Sequence, residues 1–248
     1  MSARLGAEGL TKTFAGRAAL DGVSFTVDTA GVVGLLGPNG AGKTTTFKLL
    51  LGMLRPSAGR AEIGGHDCTN EPTLVRSVAG YMPDEPAFYD YLSGRETLAF
   101  VAEVRGLDPA AMWRWLDPLV HELAAETVLE GRCGAFSLGM RKKLALLVAL
   151  AHQPKILLLD EPTNGLDPPS AAGARALFQR LAREHDTTVL LSTHLLDLAE
   201  KSCDRLLVLD RGKLVGDGSL AELRRVRDES LEAVFMRLVG KAPVASET

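Results

Sequence analysis

The chain has 248 residues, 46% hydrophobic and 24% charged, with 28 Lys and Arg against 31 Asp and Glu for a formal net charge of −3. This is enough apolar material for one large domain, or one domain with a sub-domain, and it excludes a disordered chain. The charge balance gives no reason to expect a nucleic-acid binder and leaves room only for a local basic patch, and the longest apolar run, LALLVALA at 144–151, is far short of the roughly 20 residues that cross a bilayer.

The N-terminal MSARLGAEGLTK lacks an apolar segment, so no signal peptide is expected. In chain order, LGAEGLTKTF and ALDGVSFTV read as strands. GVVGLLG, fully apolar and bounded by glycines, reads as a short buried strand. GKTTTFKLLLGML follows as a helix that stops near Pro56, and GRAEIGG and VAGYMP are short strands. From about residue 87 to 152 the strand pattern gives way to helical spacing in GRETLAFVAEV, PAAMWRWLDPLVHEL and RKKLALLVALAH. KILLLD and TTVLLST return as buried strands on either side of the helix PSAAGARALFQRLAREH. LLDLAEKSC is a short helix, and RLLVLDRGKLV is a hairpin turning at Asp210-Arg211-Gly212. The tail from about 219 is helical and charged and ends in the apolar-periodic SLEAVFMRLVG. Alternating buried strands and helices predict an α/β chain with a mainly parallel sheet covered on both faces. The expected division is a main domain at 1–218 with a helical insert at about 87–152, then a helical tail at 219–248. Cys68, Cys133 and Cys203 form no CxxC pair and are expected as buried free thiols in a reducing compartment.

GPNGAGKT, residues 37–44, matches G-x-x-x-x-G-K-[ST] between an apolar strand and a helix. Gly37, Gly40 and Gly42 are expected at positive φ, with no side chain in the way of a phosphate. Pro38, Asn39 and Ala41 complete the loop, whose N–H groups form an anion nest at a helix N-terminus. Lys43 would reach the β- and γ-phosphates, Thr44 would bind Mg²⁺ through its hydroxyl, and Thr45 would bond a neighbouring phosphate. In ILLLDE, Asp160 ends a buried strand and would hold Mg²⁺ through a water. Glu161 follows it as general base or orienter of the attacking water. His194 ends TTVLLSTH at the C-terminal edge of a strand, where α/β sheets bind ligands, and would contact the γ-phosphate or the attacking water.

GPNGAGKTT, SLGMRKK, LLLDEPTNGLD and LLSTH, in this order, resemble the nucleotide-binding domain of an ATP-binding-cassette (ABC) transporter over nearly the whole chain. The resemblance implies a P-loop NTPase core of the ABC type, with a mainly parallel sheet, an N-terminal antiparallel β portion and an inserted helical sub-domain. It places Ser137, Leu138, Gly139 and Met140 at the family's signature, which completes the ATP site of a second subunit. The residues agree: Ser137 is a good N-cap, and Gly139 exposes N–H groups at a helix N-terminus. The commonest signature is SGGQ, so Leu138 and Met140 depart from it. Arg141, Lys142 and Lys143, which follow, are expected on a solvated helix face, where they also raise the local positive potential.

By the same resemblance Asp167 is expected at a dimer seam, and independently as a helix N-cap before Pro168-Pro169. Phe14, before the Ala15-Gly16 turn, lies where the family stacks an aromatic on adenine; a core phenylalanine is the other reading. Asp84, in GYMPDEP, stands where the family usually has a glutamine that senses Mg²⁺ and the attacking water; a solvated loop acid is the alternative. Phe88, Tyr89 and Tyr91 form either a pocket for a permease helix or internal packing. The tail SLEAVFMRLVG resembles the C-terminal helix of cassettes that serve ABC-2-type permeases, many of them exporters. The implied protein is a Mg²⁺-dependent ATPase that powers a separate integral-membrane permease. Its cofactors are ATP and Mg²⁺, its mate is a second ATP-binding subunit in a homodimer, and no nucleic acid is involved. It would be cytoplasmic, peripheral on the inner face of the membrane. The competing readings are a soluble cassette acting on nucleic acid or ribosomes, disfavoured by one cassette without heptads or basic excess, and a regulatory module that barely hydrolyses.

Overall fold

The computed structural model describes residues 5–240, so the first residues of the N-terminal reading and the tail end at 241–248 lie outside the described residues. β1 (Leu5–Phe14) and β2 (Arg17–Val27) form an antiparallel hairpin. Its two turn residues, Ala15 and Gly16, have φ of 45° and 81°, the handedness that matches strand twist in a two-residue hairpin. β3 (Gly31–Leu36) leads into α1 (Lys43–Leu50), and β4 (Ala58–Ile63), the short β5 (His66–Asp67), α2 (Pro72–Val78) and β6 (Ala79–Met82) follow. α2 was not expected from the sequence. Only Val75 is buried in it, so it has no apolar stripe to read.

The helical stretch contains α3 (Gly94–Arg105), α4 (Pro109–Glu122), the short α5 (Glu126–Glu130) and α6 (Leu138–Leu150). A Ser93–Glu96 capping box starts α3, and Asp108 caps α4. β7 (Ile156–Asp160), α7 (Pro168–Glu184), β8 (Thr188–Thr193), α8 (Leu196–Ser202), β9 (Arg205–Asp210) and β10 (Lys213–Gly218) come next. The β9–β10 hairpin turns at Arg211-Gly212, as expected. In the tail, α9 (Leu220–Leu223) is a single turn and α10 (Leu231–Val239) brings Leu231, with Phe235 and Leu238 beside it, into one cluster with Leu206 and Val208 of β9.

Among the described residues the strands form two sheets: an antiparallel one in the order β2-β1-β4-β5 and a larger one in the order β10-β9-β3-β8-β7-β6. In the larger sheet only the β9–β10 pair is antiparallel. The apolar strands are explained by cover on both faces. Ile156 and Leu158 of β7 share a core with Phe47 and Leu50 of α1 and with Leu10 and Phe25 of the antiparallel sheet. Leu157 and Leu159, one residue out of phase, share the opposite core with Leu144 and Leu147 of α6 and with Leu177 and Phe178 of α7. α1 is thus held between the two sheets, and the helical stretch continues the core on the far face. Cys68 and Cys133 are buried free thiols, while Cys203 is only half-buried.

The seat of α6 on β6 depends on one glycine. A Cβ on Gly80 would lie 2.2 Å from the carbonyl oxygen of Ala149 and 2.9 Å from Pro154 Cγ. Backbone on backbone cannot yield cheaply, so Gly80→Ala is expected to destabilise the fold by about 1–3 kcal/mol. A urea-unfolding midpoint equal to wild type would show that α6 is not seated there.

Candidate functional site

The parallel register brings the ends of β3, β8 and β7 together, with Leu36 opposite Thr193 and Asp160 opposite Ser192. This is the edge where α/β sheets bind ligands. The loop after β3 closes as a cradle. Gly40 and Gly42 have φ of 80° and 111°, and Gly42 is the N-cap of α1 with no side chain to cover the helix end. Gly37 differs from the expectation: its φ is not positive. A Cβ there would stand 2.5 Å from the Leu209 carbonyl oxygen, so Gly37 is needed for close backbone approach instead. Ala41 is buried and accepts a bond from Gly212 N–H, which pins the loop to the β9–β10 turn. Pro38, Asn39, Gly40, Gly42, Lys43, Thr44 and Thr45 line the hollow, together with Asp84, Asp160 and Glu161.

Lys43 is buried and donates to the Gly37 carbonyl at 2.7 Å, with Pro38 O at 3.4 Å. Its Nζ is 3.7 Å from Glu161 Oε1. The same carboxylate oxygen is 3.0 Å from His194 Nδ1. Thr44 Oγ1 donates to Asp160 Oδ2 at 2.7 Å, and Ser192 Oγ donates to Asp160 Oδ1. Ser192 is a neighbour of the site that the sequence reading missed; it sits directly opposite Asp160 on the adjacent strand. Glu161 has φ of 47°, uncommon for a residue with a Cβ. Its N–H is held by the Ser192 carbonyl and hydroxyl at 3.2 and 3.1 Å.

The expected solvated face at 141–143 is wrong at its centre. Arg141 and Lys143 are part-exposed, but Lys142 is only 1% exposed. Its Nζ donates to Asp84 Oδ1 at 2.9 Å and to the Glu161 carbonyl at 2.7 Å. Lys142 shares its helix face with the buried Ala145, Leu146 and Ala149, and that spacing was the available signal. Asp84 therefore lies at the hollow as expected, yet it is engaged by a cation, not loose in a solvated loop.

Ser137 caps α6, its Oγ accepting from Met140 N–H at 3.3 Å. Gly139 is close-packed: a Cβ would stand 3.1 Å from Gly165 O. Asp167 caps α7 through Ser170 N–H at 2.9 Å and remains exposed. The Ser170 backbone and hydroxyl bonds hold its carboxyl below the usual carboxylate range. The turn at 137–140 and the loop at 164–167 thus pack on each other, and neither Ser137, Gly139 nor Asp167 lines the hollow around Lys43. Phe14 is 47% exposed, which removes the core reading, and Lys12 Nζ sits 5.1 Å from its ring centre. Phe14, Ala19, Pro38, Asn39 and Gly40 border a second hollow that is continuous with the cradle.

A family model described as "ABC transporter" matches residues 20–164, more than half of the chain. The chain belongs to the ABC transporter ATP-binding family. It is 37% identical over 224 residues to an uncharacterized ABC transporter ATP-binding protein, YhcH, of Bacillus subtilis, covering 90% of this chain and 70% of that one. It is 34% identical over 224 residues to the bacitracin transport ATP-binding protein BcrA of Bacillus licheniformis, covering 90% and 72%. A solved structure of an ATP-binding subunit of an ABC transporter matches with a TM-score of 0.88 at 32% identity, covering 94% of this chain and 98% of that one. A second model, described as "AAA domain, putative AbiEii toxin, Type IV TA system", matches residues 133–199, which hold Asp160, Glu161 and His194.

The fold is that of an ABC ATPase, and the chain is an ATP-binding, ATP-hydrolysing ABC subunit. No helix among the described residues is long and apolar enough to cross a membrane. On this ABC subunit the two aromatic readings divide. Phe88 packs on the helical core. Tyr89 and Tyr91 are 55% and 65% exposed, with ring centres 5.6 Å apart, and Phe100 meets Tyr89 edge-on at 6.0 Å.

Proposed function

We propose that this ABC subunit hydrolyses Mg-ATP at a site completed by the 137–140 turn of a second copy, and that it powers an integral-membrane exporter. The observation that supports this most is the pair of half-sites. Lys43, Thr44, Asp160, Glu161 and His194 converge on one hollow, while Ser137 and Gly139 open a helix N-terminus outside it. A helix N-terminus favours an anion, and a head-to-tail dimer would supply it as the γ-phosphate of the other copy.

The donor set fits the expected cofactors. The Thr44 hydroxyl and the Asp160 carboxylate are hard oxygens of the kind Mg²⁺ takes; they would hold the ion, Asp160 through a water, and Asp84 would offer the oxygen that Lys142 leaves free. Among the described residues no three His, Cys, Asp or Glu gather to cage a metal alone, so phosphate and water would fill the remaining positions. When bound, Mg²⁺ supplies charge stabilisation on the phosphoryl oxygens. Lys43 turns from the Gly37 carbonyl to the β- and γ-phosphates. Glu161 orients the attacking water and takes its proton, and His194 contacts the γ-phosphate. Phe14 and Thr45 hold the base and a phosphate, and Asp167 sits at the seam between copies. Chelation by EDTA is expected to abolish turnover; activity surviving it removes Mg²⁺ from this account.

The permease would dock on Tyr89, Tyr91 and Phe100, an apolar cluster left in water. Export is favoured by the likeness of the tail at 230–240 to cassettes of ABC-2-type permeases. The location follows from the partner: cytoplasmic, peripheral on the membrane, with no role for nucleic acid. A pull-down of the tagged chain from detergent-solubilised host membranes is expected to bring an integral protein in stoichiometric amount. The paired change Tyr89→Asp and Tyr91→Asp is expected to remove that protein from the pull-down without lowering the thermal midpoint. Recovery of the wild-type chain with no integral protein overturns the permease reading.

A further inference from the structure

We propose that Lys142 is a positioning residue for Glu161, and that Asp84 and Lys142 act as one charge-compensated unit tying α6 to the catalytic turn. The inference rests on the reading of Glu161 as the group that orients water. Lys142 reaches inward from α6 with its side chain wholly buried. An ammonium in such a place is costly unless a counter-charge and good acceptors replace its water. Asp84 Oδ1 at 2.9 Å supplies the charge, and Glu161 O at 2.7 Å supplies an acceptor.

The acceptor matters because of where it is. Glu161 holds a left-handed conformation that a residue with a Cβ keeps only when its surroundings enforce it. Ser192 holds the peptide before it through the Glu161 N–H. Lys142 and the Asn164 N–H, at 3.2 Å, hold the peptide after it through the Glu161 carbonyl. With both peptides fixed, the Cβ direction is fixed, and the carboxylate points between Lys43 and His194. Lys142 touches no reacting atom; it sets the direction of the group that does.

The same pair accounts for the aspartate at 84. A neutral amide there would accept a hydrogen bond but leave the Lys142 charge uncompensated. The carboxylate is one half of a pair whose other half lies 58 residues away. It also gives α6 a mechanical link. The turn at Ser137 and the ammonium at Lys142 ride on one helix, so a displacement of that helix when a second copy docks is felt at the Glu161 peptide.

The pair is asymmetric, and this sets the test. Asp84 is 42% exposed and can be solvated alone; Lys142 cannot. Lys142→Met, Asp84→Gln and the double variant are made in the full chain. Turnover, the affinity for a fluorescent ATP analogue and the thermal midpoint without nucleotide are measured. Lys142→Met is expected to lower kcat by about 10²-fold, as for a misplaced catalytic group, with analogue affinity unchanged and the midpoint moved little. Asp84→Gln is expected to lower the midpoint most, and the double variant to recover the greater part of that loss. The double variant also serves if Lys142→Met alone fails to fold: its kcat stays reduced. Wild-type kcat in a folded Lys142→Met protein overturns the inference, and so do midpoint losses that simply add in the double variant. Glu161→Gln separates the layers: if it keeps full turnover, the reading beneath has failed, whereas if it alone is inactive the fault lies with Lys142.

Discussion

Replacing Glu161 by glutamine is expected to lower ATP turnover by about 10²–10⁴-fold, the usual contribution of a positioned general base. ATP binding should survive. Glutamine has the same shape, and it removes a negative charge from beside the γ-phosphate. The fold should survive too, because the turn is held by backbone bonds to Ser192 and Lys142 and not by the carboxylate. What is lost is the group that Lys43 and His194 hold from either side, at 3.7 and 3.0 Å. A subunit that binds ATP without cleaving it should remain closed on its mate. With saturating Mg-ATP the variant is expected as a stable dimer in light scattering, while the wild type returns to monomer as ATP is consumed. Turnover at the wild-type rate would show that Glu161 is no base. A monomer with ATP bound would show that two copies of this chain do not complete one another's sites.

Much of this centre was legible in the sequence because its determinants are local or strictly periodic. ILLLD and TVLLST read as strands because both faces are buried, which removes polar alternation. The loop at 37–44 read as a phosphate cradle because turn, cation and helix start follow one another without a gap. The Ala15-Gly16 and Arg211-Gly212 turns were legible from their glycines, which accept positive φ, although Ala15 and Arg211 take it too. The misreadings have a different physical origin. Lys142 was assigned to water because it stands among Arg141 and Lys143, and charge runs are normally solvated. Its burial depends on Asp84 and on the Glu161 carbonyl, neither near it in sequence, although its helical phase with Ala145, Leu146 and Ala149 pointed inward. Gly37 was expected to need positive φ, whereas its real constraint is the Leu209 carbonyl on a strand far along the chain. The loops and helix starts could be read where the chain constrains itself, and they were misread where another element does so.

Replacing Lys43 by alanine is expected to weaken ATP affinity by about 10–100-fold, as befits the loss of charge-assisted bonds worth about 1.5–3 kcal/mol. Turnover should fall further, by about 10²–10³-fold, the cost of removing one preorganised donor from developing charge. The geometry explains why one side chain carries both effects. Its ammonium is buried, bonded to the Gly37 carbonyl at 2.7 Å, with Glu161 Oε1 at 3.7 Å. The cation therefore already stands in the cradle and needs only to exchange a neutral carbonyl for phosphate oxygens. Glu161 also loses a positive neighbour in the variant, so a buried carboxylate faces the γ-phosphate with less compensation, which adds repulsion to the lost attraction. Lys43→Arg should not rescue, because a planar guanidinium with a fixed fork does not fit a pocket shaped for a compact ammonium. Titration with a fluorescent ATP analogue, alongside steady-state turnover, separates the two effects. Wild-type affinity in a folded Lys43→Ala protein would mean that the phosphates are held by the loop N–H groups and the α1 terminus alone, leaving Lys43 with a role only in the transition state.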